Sequence, residues 1–242
     1  MTYFLCFIVF LAAALVQSFS GFGFGIFAMS FLPYFMPSYG LSVALVNIAT
    51  VASSVPVALQ RRKRFCFRLV WPLLVGYVVS NTLAVYFAYK QPESLLFHLL
   101  GILLILLSVY FAFFGKRLRI RATPVTGMLA GLCSGVMSGL FAMGGPPVVL
   151  YFLSATEDET QYLACSLAYF AVVNTYTLLL RFLNGGITVQ VLPYLLVIAA
   201  ASLVNALISR RLGGRIGGDA IRKTVYVIMA ASGVMMLFKK PQ

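Results

Sequence analysis

Acidic residues are scarce in this chain. Asp and Glu together number five in 242 residues, and positions 1–60 carry no Asp, Glu, Lys or Arg at all. Soluble domains carry roughly a quarter charged residues. A chain that is 10% charged and 62% hydrophobic is excluded from that class and reads as an integral membrane protein. The five acids, Glu93, Glu157, Asp158, Glu159 and Asp219, fall in loops or at helix starts. That removes a buried carboxylate dyad and a carboxylate proton relay from mid-membrane. His98 is the only histidine, which excludes a histidine metal cluster. No phosphate-binding loop or soluble nucleotide-binding segment is present. The chain is therefore read as a non-enzyme without a cofactor, driven by a gradient, a separate ATPase or substrate flow. Cys6, Cys66, Cys133 and Cys165 lie in or beside apolar runs at spacings unlike any zinc or redox motif, and read as small hydrophobes. The leading "MTYF" has no Lys or Arg and the apolar run continues past "AAA" at 12–14, so the first segment is expected to stay in the mature protein.

Basic residues are plentiful, with a net charge of +13, but they are bunched. "RRKR" at 61–64 with Arg68, "KRLRIR" at 116–121, "RRLGGR" at 210–215 with Arg222 and Lys223, and "KK" at 239–240 each flank an apolar run. Clusters so placed orient helices by the positive-inside rule and touch anionic headgroups. A nucleic-acid groove would spread such residues, interleaved with aromatics, over a soluble face, whereas here each cluster is short and abuts an apolar run. Membrane lipid, not nucleic acid, is the expected partner of this charge.

Eight apolar segments follow: A (about 3–36), B (39–60), C (69–89), D (95–114), then after a basic loop A′ (124–155), B′ (161–182), C′ (188–209) and D′ (220–238). Six match a single span of about 17–25 residues. A and A′ are too long and are interrupted by glycines. Pro72 near the start of C has a counterpart in Pro193 near the start of C′, and glycine-rich A parallels glycine-rich A′. The chain is accordingly read as duplicated: residues 1–114 a first membrane repeat, 115–123 a cytoplasmic basic loop, 124–242 a second repeat.

Charge bias then constrains the crossings. With the basic loops inside, C leaves "RRKR" and D returns to "KRLRIR". B′ and C′ form a pair that ends at "RRLGGR" on the side it left, so A′ must finish on the side where it began. That makes A′ a re-entrant hairpin or two short crossings. The same reasoning on A puts the N-terminus outside, each half crosses an odd number of times, and the halves are inverted. The final "KK" falls on the outer side in this scheme, against the rule. The expected fold is an all-α polytopic membrane protein of two inverted repeats, each a glycine-interrupted, re-entrant or broken helical element plus three spanning helices.

A helix broken within hydrocarbon leaves backbone groups that only protein or a water-lined cavity can satisfy. In return it places helix ends at mid-depth, whose N–H groups hold an anion without a charged side chain. The first break is "SGFGFGIFAMSFLP" at 20–33, with Ser20, Gly21, Gly23 and Gly25. The second is "SGLFAMGGPPVVLYF" at 138–152, with Ser138, where Gly144 and Gly145 suit a turn and Pro146 and Pro147 suit a helix start. Gly127, Gly131, Gly135 and Gly139 recur every fourth residue and read as close helix packing. Among polar residues within apolar runs, Asn81 and Asn174 either donate to an oxyanion or tie helices together. Arg181, at the end of B′, either snorkels to headgroups or gathers anions at the outer mouth.

The paired glycine-rich segments, above all "GLFAMGGPP", resemble the sulfite exporter TauE/SafE family of membrane permeases. The resemblance covers nearly the whole chain, including its length, central basic loop and duplication. In the first copy Phe24 separates Gly23 from Gly25, where the family more usually has adjacent glycines. The resemblance implies a permease of the bacterial or archaeal cytoplasmic membrane for a small anion: sulfite, a sulfonate or a related organosulfur anion. Ser20, Gly21, Gly23, Gly25, Asn81, Ser138, Gly144, Gly145, Pro146, Pro147, Asn174 and Arg181 are the expected substrate-binding residues. Coupling to H+ or Na+ and homodimerisation through small-residue faces are both compatible with the sequence. An anion-selective channel and a non-transporting membrane scaffold are the alternatives to a secondary transporter.

Overall fold

A computed structural model describes residues 1–113, 121–212 and 230–238. Positions 116–120 of the basic loop, residues 213–229 with Asp219, Arg222 and Lys223, and Lys239 and Lys240 lie outside the described residues. Among the described residues all regular structure is helical: α1 (Thr2–Ser20), α2 (Phe24–Met29), α3 (Tyr39–Gln60), α4 (Phe67–Tyr89), α5 (Glu93–Phe113), α6 (Pro124–Phe141), α7 (Gly145–Ala155), α8 (Glu159–Leu183) and α9 (Leu192–Leu212). Residues 230–238 are helical as well. Seven of these elements are long and apolar enough to cross a membrane, while Phe24–Tyr34 and Gly145–Ala155 are shorter. The protein is thus all-α and polytopic.

Local chemistry explains the boundaries. Ser38 caps α3 by accepting from the Leu41 N–H at 3.0 Å, and Asp158 caps α8 by accepting from Gln161 at 2.7 Å. Thr123 and Thr126 form a reciprocal capping box at the start of α6. Segment A breaks at residues 21–23, where Gly21 (φ 79°) and Gly23 (φ 98°) hold left-handed backbone that a side chain would strain. Segment A′ breaks at Ala142, which takes the same left-handed geometry (φ 55°) without being glycine, and α7 then opens on Gly145, Pro146 and Pro147. Each broken segment is therefore one long arm and one short arm, 19 residues in α1 against 6 in α2 and 18 in α6 against 11 in α7.

The short arms fold back along the long ones. Ser134 of α6 donates to the Gly144 carbonyl at 2.7 Å, and a Cβ built on Gly127, a turn from the start of α6, would meet the Tyr151 ring of α7 at 3.1 Å. Those two contacts run in opposite chain directions, so α6 and α7 are antiparallel. In the first half, the rings of Phe10 and Phe24 stack with centroids 6.5 Å apart, bringing α2 back against α1. Ser20, at the turn, leaves a carbonyl that the buried Tyr162 hydroxyl satisfies at 2.8 Å.

Around the hairpins the long helices interlock. α4 packs on α6 through the four-residue glycine stripe: a Cβ on Gly131 would overlap the Leu73 carbonyl, and one on Gly135 would sit 2.7 Å from the Tyr77 carbonyl. Hydrocarbon offers no hydrophobic drive between helices, so this backbone-to-backbone approach, with its dispersion contacts, replaces it. The expectation of close packing at Gly131 and Gly135 holds. α3 and α8 lie antiparallel: Arg64, after α3, reaches Asp158, before α8, at 3.9 Å, and at the far end Tyr39 and Arg181 line one cavity.

Candidate functional site

The two breaks meet. A Cβ on Gly25 would overlap the Ala142 carbonyl, and one on Gly145 would touch Phe22 at 3.4 Å. Between them lies a cavity of about 20 Å³, walled by Gly23, Gly25, Ser138, Gly144, Gly145 and Asn174 together with Gln17, Thr50, Tyr77 and Ser134. That volume holds about one water. A multi-atom oxyanion can occupy it only after the hairpins part.

The chemistry of the wall is neutral. Helix starts leave first-turn N–H groups without intrahelical partners. Pro146 and Pro147 have none to offer, so at α7 those donors are Gly144 and Gly145. Side-chain hydroxyls supply the rest. Tyr77 donates to Ser138 Oγ at 2.6 Å and stands 2.7 Å from Thr177 Oγ1. Thr177 in turn donates to Asn81 Oδ1 at 3.0 Å, and Asn81 donates through Nδ2 to the Gly135 carbonyl at 3.2 Å. A second relay runs from Tyr169 to Ser134 at 3.0 Å and on to the Gly144 carbonyl. Both relays fix hydroxyls at the cavity wall in rotamers set by the neighbouring helix. Among the described residues no carboxylate, ammonium or guanidinium lines this cavity. No group of three or more metal-ligating side chains occurs among the described residues.

Of the residues expected at a site, Gly23, Gly25, Ser138, Gly144, Gly145 and Asn174 line the cavity. Ser20, Gly21, Asn81, Pro146 and Pro147 are not among its lining residues. Ser20 Oγ is within hydrogen-bonding reach of the Val16 carbonyl of α1 (2.6 Å) and the Phe22 carbonyl of the turn (2.7 Å), and its single proton serves one of them at a time. Asn81 ties α4 to α6, and the Asn174 amide donates to Phe170 of its own helix at 2.8 Å. Arg181 is elsewhere. It is 5% exposed, turned inward, and donates through an Nη to the Gly139 carbonyl at 2.6 Å, so it does not snorkel outward. Gln17, Thr50, Tyr77, Ser134 and Thr177 were not expected. A signal existed for two of them: Asn47-x-x-Thr50 in α3 is repeated as Asn174-x-x-Thr177 in α8, and both threonines lie at the cavity or its hydroxyl relay.

Comparison with known proteins adds the following. The family profile described as "Sulfite exporter TauE/SafE" matches residues 5–236. A protein of Cupriavidus necator described as "Probable sulfite/organosulfonate exporter TauE" is 20% identical over 230 residues, 93% of this chain and 90% of that relative. No solved structure matches the chain.

Proposed function

Because this chain belongs to the sulfite exporter TauE/SafE family, a family of membrane transporters and not enzymes, we propose that it is a secondary transporter for a small sulfur oxyanion: sulfite, a sulfonate or a related organosulfur anion. The observation that carries the reading is the meeting of two helix breaks at one cavity whose polar wall is glycine backbone, hydroxyls and amides, set among apolar side chains such as Phe24 and Phe170 and, among the described residues, free of carboxylate. Backbone N–H groups and hydroxyls recognise an oxyanion head without demanding a particular tail. The name of the Cupriavidus relative points to the same solutes. We place the substrate between Gly23–Gly25 and Ser138–Gly145, with Asn174 at its side and Ser20, Gly21, Asn81, Pro146 and Pro147 holding the walls. The setting we infer is the cytoplasmic membrane of a bacterium or archaeon.

We also infer that residues 1–114 and 124–242 are inverted repeats joined by a cytoplasmic basic loop at 115–123, with each hairpin re-entrant. Three features support this: the basic clusters, the antiparallel short arms, and the Asn-x-x-Thr pair common to α3 and α8. Inverted halves give alternating access by rocking about a fixed central site.

Uptake and counterflow in proteoliposomes test the function. A panel of sulfite, sulfate, short sulfonates, carboxylates and chloride is presented with and without H+ and Na+ gradients. Saturable flux of one sulfur oxyanion, accelerated by unlabelled solute on the opposite side, is expected. Flux of cations alone would sink the proposal, and unsaturable conductance would make the protein a pore.

A further inference from the structure

A second cavity, of about 140 Å³, opens at the end of the bundle where α3 begins and α8 ends. Arg181 forms part of its wall beside Tyr39, Tyr89, Glu93 and Leu140. Arg181 is a full charge held at 5% exposure, and among the described residues it has no ion-pair partner. Its guanidinium donates to the Gly139 carbonyl at 2.6 Å and engages Tyr89 through both the hydroxyl and the ring, whose centroid is 6.0 Å from Cζ, while its Nε has no hydrogen-bond partner. A guanidinium carries five donors in a planar fork, and such a group is rarely left under-satisfied where water is scarce. Glu93 does not answer the charge. Its two oxygens accept from the N–H groups of Tyr39 (2.9 Å) and Gly40 (3.1 Å), neutralising the start of α3 instead.

We propose that this vestibule is a second anion site, separate from the central cavity, at which Arg181 binds an oxyanion before or after its passage between the hairpins. The planar fork matches two oxygens of a sulfite or sulfonate head, and the cavity is large enough for the head where the central one is not. Glu93 also lines the vestibule, and although its oxygens are engaged by the start of α3, its negative charge limits how tightly an anion is held, as a transit site requires. The position is apt: the carbonyl that Arg181 grips belongs to Gly139, one turn before Ala142 and the central cavity. Where the pseudo-equivalent register of α3 has Ser54, seven residues after Asn47, α8 has Arg181, seven after Asn174, so the charged site occurs at one end of the pathway only. The proposal rests on the transported solute being an anion.

Equilibrium binding of radiolabelled sulfite to the purified full chain tests it. The wild-type protein is expected to bind at two sites. Arg181→Gln should lose one and leave the other unchanged, while Gly145→Leu, which fills the central cavity, should lose that other and keep the Arg181-dependent one. Arg181→Lys preserves the buried charge without the fork, and should weaken the vestibule site by about tenfold, so the test survives even if the glutamine variant does not fold. Binding curves of both Arg181 variants superimposable on wild type, or one site lost alike in Arg181→Gln and Gly145→Leu, overturn a separate vestibule site. Loss of one site in Arg181→Gln with both retained in Gly145→Leu would leave the vestibule standing and remove the central reading.

Discussion

Single atoms decide the central cavity. Gly25 has room for a hydrogen and no more, because a Cβ there would overlap the Ala142 carbonyl. Gly25→Ala must push the hairpins apart, an overpacking of about 1–3 kcal/mol. It is expected to lower the thermal midpoint in detergent and to abolish saturable sulfite flux. Tyr77→Phe deletes the hydroxyl shared by Ser138 and Thr177. Leaving those groups short of a partner costs about 1–3 kcal/mol, and flux should fall while the protein stays monodisperse, as size-exclusion chromatography and uptake would report together. The glycines that line this cavity were legible in the sequence because, with the prolines that follow them at α7, they punctuate an otherwise continuous apolar run. The hydroxyls were not. Tyr77 and Thr50 look like ordinary members of apolar helices until the rotation of each helix is known, and only the repeated Asn-x-x-Thr spacing hinted at Thr50 and Thr177. Arg181 was ambiguous for a related reason: a helix-end arginine reaches outward or inward with equal ease, and the Gly139 carbonyl draws it inward.

At the scale of elements, α4 and α6 behave as one body. The stripe from Gly127 to Gly139 lets their backbones touch, so Gly131→Leu should prevent assembly of the folded protein, read as loss of the monodisperse peak. Gly185 is the control. It too has positive φ (70°), but nothing lies within 4 Å of its would-be Cβ, so Gly185→Ala should cost only backbone strain of about 1–2 kcal/mol and leave the peak intact. Length and apolarity made B, C, D, B′ and C′ readable as the single spans α3, α4, α5, α8 and α9, and the glycine clusters located both breaks, while D′ falls largely outside the described residues. What they could not supply was the inequality of the arms. The sequence shows where a helix stops, but how far the chain folds back depends on tertiary contacts such as Phe10 on Phe24 and Ser134 on Gly144.

For the whole molecule, the inferred inverted arrangement makes a sided prediction. Single cysteines placed at 63, 118, 158 and 212 in a background lacking Cys6, Cys66, Cys133 and Cys165 should be shielded from an impermeant thiol reagent in intact cells. Cysteines at 2 and 185 should be labelled. An external residue 212 would defeat the re-entrant reading of A′. The contact between Gly25 and Ala142 bears on a different quantity, which is time. A gate formed by a side chain swings open in picoseconds to nanoseconds, whereas this one is main chain against main chain with no rotamer to turn. It can open only by displacement of a whole hairpin, a collective motion of about microseconds to milliseconds. On the proposed pathway each passage waits for that motion, so turnover can be no faster than the backbone's own displacement, and electrical recording should find turnover without resolvable unitary current.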